Sequence, residues 1–168
     1  MELMKYDVAK NLADEFVKEI TEYCSVVEIV GSIRRKKPVG IKDIDLVIIP
    51  KEGVDFNSKI PLIQTWCINH FRNFKVLKEG AKLIQLEYQG VQVDIYIANE
   101  DNFETLKLIR TGSENHNKKL CGIAIRNGMR MKFDKGLVDN SGNVVANTEE
   151  GILTKLLGKN ILPEERSD

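Results

Sequence analysis

Three aspartates in this chain are placed to do chemistry. Asp43 and Asp45 are separated by Ile44, and Asp94 stands alone between Val93 and Ile95. Both surroundings are β-branched and apolar and read as strands, residues 43–49 stopped by Pro50 and residues 91–98. Side chains two apart on a strand share a face. Asp43 and Asp45 therefore project together, opposite Ile44, Leu46 and Ile48. In the other strand Val91, Val93, Ile95 and Ile97 point one way, and Gln92, Asp94, Tyr96 and Ala98 the other. If the two strands are neighbours, three carboxylates converge and repel one another unless a cation neutralises them. Hard oxygen ligands on a rigid sheet suit Mg²⁺ or Mn²⁺, and a shared carboxylate pair suits two ions about 3.5–4 Å apart. The alternative is a solvated sheet face on which the acids are merely surface.

A second constellation precedes the first. Gly31-Ser32-Ile33-Arg34-Arg35 follows a short β-branched run, residues 26–30. Glycine permits a tight turn, and a hydroxyl with two guanidiniums is what a polyphosphate needs. Alone, the motif is equally a turn with a basic rim. Eight residues before Asp43, it gains a specific meaning: a nucleoside triphosphate held for transfer to a hydroxyl.

The elements that must position these residues follow from pattern. Residues 8–23 predict a helix on the stripe Ala9, Leu12, Ala13, Phe16, Val17 and Ile20, with Asp7 as N-cap. Residues 32–42, with Pro38 and Gly40, predict a loop. Residues 58–71 predict a helix with Ile60, Ile63, Cys67 and Phe71 on one side and Pro61 in its first turn. Residues 82–88 and 91–98 predict a hairpin about Gln89-Gly90. Residues 101–110 and 113–126 predict two helices broken at Thr111-Gly112, followed by short strands at 129–133 and 136–138. Thr148 opens a last helix and Gly158 stops it. This order predicts an α+β fold with a mixed sheet rather than a βαβ array, with a soft boundary at 99–102.

The chain has 168 residues, 42% hydrophobic and 30% charged, which suits a folded domain or two small lobes and argues against wholesale disorder. Its 25 basic and 25 acidic residues cancel, so a uniformly basic coat is excluded. Placement is uneven, however. Residues 105–135 hold eight bases (Lys107, Arg110, Lys118, Lys119, Arg126, Arg130, Lys132, Lys135) against Glu114 and Asp134. Residues 139–168 hold three bases against six acids. The central part could track a phosphate backbone, or be a solvated helix face. Cys24, Cys67 and Cys121 are odd in number and far apart, which argues against a disulfide scaffold or zinc ribbon and for a reducing compartment. No apolar run nears the ~20 residues of a membrane span.

Gly31-Ser32-Ile33-Arg34-Arg35, Asp43-Ile44-Asp45, Val93-Asp94-Ile95 and Thr111-Gly112-Ser113-Glu114-Asn115-His116-Asn117 together resemble family X DNA polymerases, the DNA polymerase beta group. Gly136-Leu137, Glu149-Glu150, Leu157-Gly158 and Leu162-Pro163-Glu164-Glu165-Arg166 resemble the closing segment of its bacterial members. The resemblance runs from about Val8 nearly to the end. It implies a nucleotidyltransferase palm over residues 1–100, with a mixed or antiparallel sheet flanked by helices. A small, mainly helical lobe contacting nucleotide and template follows over 101–168. It implies that Asp43 and Asp45 bind two Mg²⁺ ions, for which Mn²⁺ substitutes, and that Asp94 binds the catalytic ion beside a primer 3′-hydroxyl and helps take its proton. Ser32 and Arg35 would hold the β and γ phosphates, and Gly31 would allow close backbone approach. Thr111, Gly112 and Ser113 would break the helix beneath sugar and base. Asn117 would touch the minor-groove edge of the incoming base, and Lys118 would lie near the templating base. Charge placement adds Lys119, Arg126 and Arg130 as DNA contacts.

The implied partners are primer-template or gapped DNA and deoxynucleoside triphosphates. The implied protein is an intracellular, cytoplasmic monomer without a membrane, in a host cell if viral. Gap-filling repair is the leading expectation. Template-independent terminal transfer, and transfer to a small-molecule or protein acceptor, are the alternatives. The family's lyase module and phosphoesterase domain have no counterpart, so lyase activity is not expected. Ile109-Arg110 replaces the usual Tyr-Phe, which predicts ribonucleotide incorporation, and Cys121 replaces an arginine that reads the templating pair, which predicts reduced fidelity or template dependence. His116 fits the pattern of the bacterial members and need not be a metal ligand, and His70 reads as structural or surface.

Overall fold

The structure, a computed structural model, describes residues 2–71 and 73–166; the side chain of Phe71 lies outside the described residues, as does its predicted place on a helix face. Helix α1 (Tyr6–Ile20) leads through a 3-10 turn into β1 (Cys24–Ile29), a short helix α2 (Gly31–Arg34) and β2 (Asp43–Pro50). Helix α3 (Ile60–Phe71), β3 (Phe74–Lys78), β4 (Leu83–Tyr88) and β5 (Val91–Ile97) follow. Then come α4 (Phe103–Thr111), α5 (Glu114–Arg126), β6 (Met129–Lys132), β7 (Gly136–Asp139), β8 (Val144–Ala146) and α6 (Glu149–Leu157).

The fold is α+β. Five strands form a mixed sheet in the order β1-β2-β5-β4-β3. Only the central β2–β5 pair is parallel. Strand alternation gives each face a different task. Ile44, Leu46, Ile48, Val93 and Ile95 join Ile84, Leu86 and Tyr88 of β4 in the main core, covered by Ala9, Ala13, Phe16 and Ile20 of α1 and Ile60, Ile63 and Cys67 of α3. The Phe16 and Tyr88 rings meet at 5.1 Å between centroids. On the opposite face Val30, Val47 and Ala98 pack with Tyr96 and with Phe103 and Leu106 of α4. A third cluster, Leu108, Leu120, Ala124, Leu137, Ile152, Leu153 and Leu156, binds α4, α5 and α6 to the three-stranded sheet β6-β7-β8. Among the described residues no helix is long and apolar enough to cross a membrane.

Two local expectations are corrected, and two strands are added. Helix α1 begins at Tyr6, with Lys5 as its N-cap, so Asp7 lies in its first turn. The start is fixed by tertiary contacts: Met4 bridges Ile41, and the Tyr6 amide donates to the Pro38 carbonyl. The predicted loop 32–42 instead opens as helix α2, closed by the Arg34 amide on the Val30 carbonyl and the Arg35 amide on the Gly31 carbonyl. Strands β3 and β8 were not anticipated. One is a five-residue edge strand, Phe-Lys-Val-Leu-Lys, whose alternation breaks at Leu77 beside a register shift, and the other has only three residues. The hairpin turn is as expected, with Gln89 and Gly90 both at positive φ, 51° and 79°. Thr148 caps α6 by accepting from the Gly151 amide, and Gly158 ends it in the left-handed conformation.

Candidate active site

The parallel register puts Asp45 directly opposite Asp94 and Asp43 opposite Gln92. All three aspartates thus share the sheet face that α4 partly covers. Asp94 is buried, 7% exposed. Its Oδ1 accepts from Gln92 Nε2 at 2.9 Å and from Gln85 Nε2 at 3.1 Å. Gln85 is the β4 partner of Asp94, and Gln92 precedes it by two on the same face. Neither glutamine was anticipated at the site. Gln92 was legible from strand alternation, whereas Gln85 needed the register.

The carboxylates bear on one another. Burial, with Asp43 and Asp94 nearby, pushes Asp45 up to about 7, against the opposing pull of Arg110 and Arg35. Burial and Asp94 likewise raise Asp43. Paired acids that resist ionisation fit a site completed by a cation. Among the described residues no three His, Cys, Asp or Glu side chains are grouped closely enough to enclose an ion as they stand. The donor chemistry is nonetheless that of a hard divalent ion: carboxylate oxygens only, on adjacent rungs of a rigid sheet.

The Gly31 turn stands against this face. Its φ is +62°, and a Cβ there would run into the Asp45 carboxylate. The Val30 amide donates to the Asp45 carbonyl at 2.8 Å. Glycine is therefore required twice, for backbone conformation and for space. Ser32 is the second residue of α2, and Arg35 follows its last turn. Arg35 Nη1 donates to the Thr111 carbonyl at 2.6 Å, Nη2 lies 3.5 Å from Ser32 Oγ, and a Cβ on Gly112 would stand 3.1 Å from the Arg35 guanidinium. The turn and the Thr111-Gly112-Ser113 break, 76 residues apart at their Arg35–Thr111 contact, thus form one junction. Ser113 is the N-cap of α5, accepting from the His116 amide.

Arg34 has a different fate. Its Nη1 and Nη2 grip Glu149 Oε2 and Oε1 at 2.6 and 2.7 Å, and Nη1 also donates to Thr111 Oγ1. Of the two guanidiniums expected for phosphate, only Arg35 stays with the turn. Glu149 also accepts from Arg166, and its amide donates to Glu104. Burial works against the Glu149 charge, but Arg34 and Arg166 outweigh it and hold the carboxyl below its ordinary range. No local signal marks a contact spanning 115 residues.

The residues expected to meet base and DNA are less concentrated. Asn117 Nδ2 donates to the Ile109 carbonyl at 2.8 Å, so it ties α5 to the end of α4, and its buried Oδ1 makes no hydrogen bond among the described residues. Lys118 is exposed and paired with Glu114 at 2.6 Å. Lys119 and Arg126 are exposed on α5 and Arg130 on β6. His116 is buried near Arg166, Lys119 and Glu149; burial and the two cations push its ring down to about 4. Arg110 points back to the acid face, its guanidinium carbon 4.2 Å from the Tyr96 ring centroid. Tyr96 follows Asp94 by two on β5. Compared with protein-family models and with curated proteins, the chain matches none.

Proposed function

We propose that the chain is a family X-type DNA polymerase that adds nucleotides to a primer 3′-hydroxyl by two-metal nucleotidyl transfer, in gap-filling repair. The observation that carries the reading is the parallel β2–β5 register, which sets Asp45 against Asp94 with the Gly31 turn in contact with Asp45. Asp43 and Asp45 would hold two Mg²⁺ or Mn²⁺ ions and Asp94 one of them; bound there, such ions neutralise phosphate charge and acidify the attacking hydroxyl. The chain's own groups supply the rest. Ser32 and Arg35 lie beside the acids, where β and γ phosphates need a hydroxyl and a guanidinium. Gln85 and Gln92 fix Asp94 through Oδ1, which orients Oδ2 to receive the hydroxyl proton. Thr111, Gly112 and Ser113, tied to Arg35, form the floor for sugar and base.

A second reading, template-independent terminal transfer, is favoured by Asn117. Its Nδ2 donates to the Ile109 carbonyl, which ties the side chain to α4, and Lys118 pairs with Glu114 on the surface. Primer extension separates the readings. Recessed-end, gapped and unpaired-primer DNA are supplied with single deoxynucleotides or ribonucleotides in Mg²⁺ or Mn²⁺, with Asp94→Ala as control. Template-directed addition lost in the variant supports the polymerase. Addition regardless of template supports terminal transfer. Ribonucleotide addition is expected from Ile109-Arg110. No extension on any DNA by folded, triphosphate-binding protein overturns both readings in favour of a small-molecule or protein acceptor.

A further inference from the structure

We propose that a groove beside the acid face seats one unpaired base of single-stranded DNA, stacked on the outer face of Phe133. The groove encloses about 630 Å³ between α4, the start of β4 and end of β5, and the turn joining β6 to β7. Its walls include Lys82, Leu83, Tyr96, Arg110 and Phe133. Three of these are layered. The Arg110 guanidinium carbon lies 4.2 Å from the Tyr96 ring centroid and 5.8 Å from that of Phe133. The stack begins on the sheet and ends at a phenylalanine that is 56% exposed, so its last ring has open space where a further layer would lie.

The surroundings select the occupant. Lys82 on one wall, and Lys132 and Lys135 flanking the turn that presents Phe133 and Asp134 to the groove, are all exposed, and none makes an ion pair among the described residues. Asp134 is the acid among them. An open aromatic face bordered by unneutralised cations is the composition that grips single strands: rings take bases of any sequence while cations follow the phosphates. An uncharged apolar ligand would leave the cations without a counter-charge. A duplex would offer phosphates, but its bases are already stacked. Tyr96, which lines the groove, follows Asp94 by two on the same strand face, so one wall of the groove neighbours the acids. A strand seated there lies beside the reacting centre.

The inference rests on the DNA reading of the preceding section, yet its test is independent of catalysis. Binding of a short fluorescently labelled single strand is followed by anisotropy in the presence of a chelator. An abasic strand of equal length and a duplex serve as comparisons. Phe133→Ala is expected to weaken binding of the base-containing strand about tenfold and to leave the abasic strand unchanged. Phe133→Trp is expected to keep or tighten it. The inference is overturned if Phe133→Ala binds the base-containing strand like the parent, if it loses equally on the abasic strand, or if the parent prefers duplex. Extension activity with no dependence on Phe133 in binding would remove this inference alone. Phe133-dependent binding without extension would remove the polymerase reading alone.

Discussion

Asp45 shows how a site can be at odds with its own fold. Folding moves its carboxyl from an ordinary 3.8 up to about 7, because burial and two neighbouring acids disfavour the ionised form. The unfolded chain therefore releases this proton at lower pH than the folded one. Asp45 costs nothing well below pH 3.8, where both states are protonated. The cost grows as pH rises through the interval between the two values, and is complete above about 7. Asp45→Asn should gain roughly 2–4 kcal/mol over the parent at pH 8 and little at pH 4, read by urea unfolding at the two pH values. On the proposed two-metal function, Mn²⁺ would bind the ionised form and should raise the parent's Tm more at pH 8 than at pH 5, and that difference should vanish in Asp45→Asn. An equal Mn²⁺ effect in parent and variant would count against the aspartates as its site.

At the scale of elements, the β1–α2–β2 corner is the piece whose geometry is least negotiable. Strand β1 must stop, turn and send a helix away without displacing the Asp45 carboxylate that stands against the turn. Gly31 solves this with φ +62° and no side chain. Gly31→Ala should lose about 1–2 kcal/mol to backbone strain alone, and more from the collision with Asp45. A lower urea midpoint at unchanged slope would report it. On the proposed function, nucleotide transfer should fall further than stability does, because the carboxylate must move. Transfer unchanged in a folded Gly31→Ala protein would show that Asp45 need not hold its place.

For the molecule as a whole, one carboxylate joins parts that are distant in sequence. Glu149 receives Arg34 from the corner beside the sheet and Arg166 from the end of the chain, while its amide reaches Glu104 of α4. Glu149→Ala would leave two partly buried guanidiniums without their counter-charge, and should cost about 3–5 kcal/mol by thermal or urea unfolding. Glu149→Gln, which keeps hydrogen-bonding oxygen but not charge, should cost less. Charge is divided on the same scale: the exposed bases of α5 and β6 face solvent while Glu149 and its neighbours are drawn inward. If the chain acts on DNA as proposed, replacing Arg126 and Arg130 together with Ala should weaken DNA binding without regard to sequence. It should also lower the slope of log affinity against log salt by about 1–2. An unchanged slope would exclude those two as phosphate contacts.

The sequence by itself determined what depends on neighbours along the chain. Period-two alternation set Asp43 with Asp45, and Asp94 with Gln92 and Tyr96, because the pleat alternates every strand. The Gln89-Gly90 turn, the Thr148 cap and the Gly158 stop were likewise local, since each is a backbone requirement met by one or two residue types. The tertiary structure alone decided which strands lie side by side. Asp45 meets Asp94 only because β2 and β5 pair in parallel at that register, a choice made by burial of the α1–α3 face rather than by any residue near the acids. It also decided that Arg34 serves Glu149 while Arg35 stays at the turn, and that Arg110 reaches Tyr96 and Phe133. Adjacent arginines are equivalent in composition and become different only when packing gives each a partner, and those partners lie 76 or more residues away.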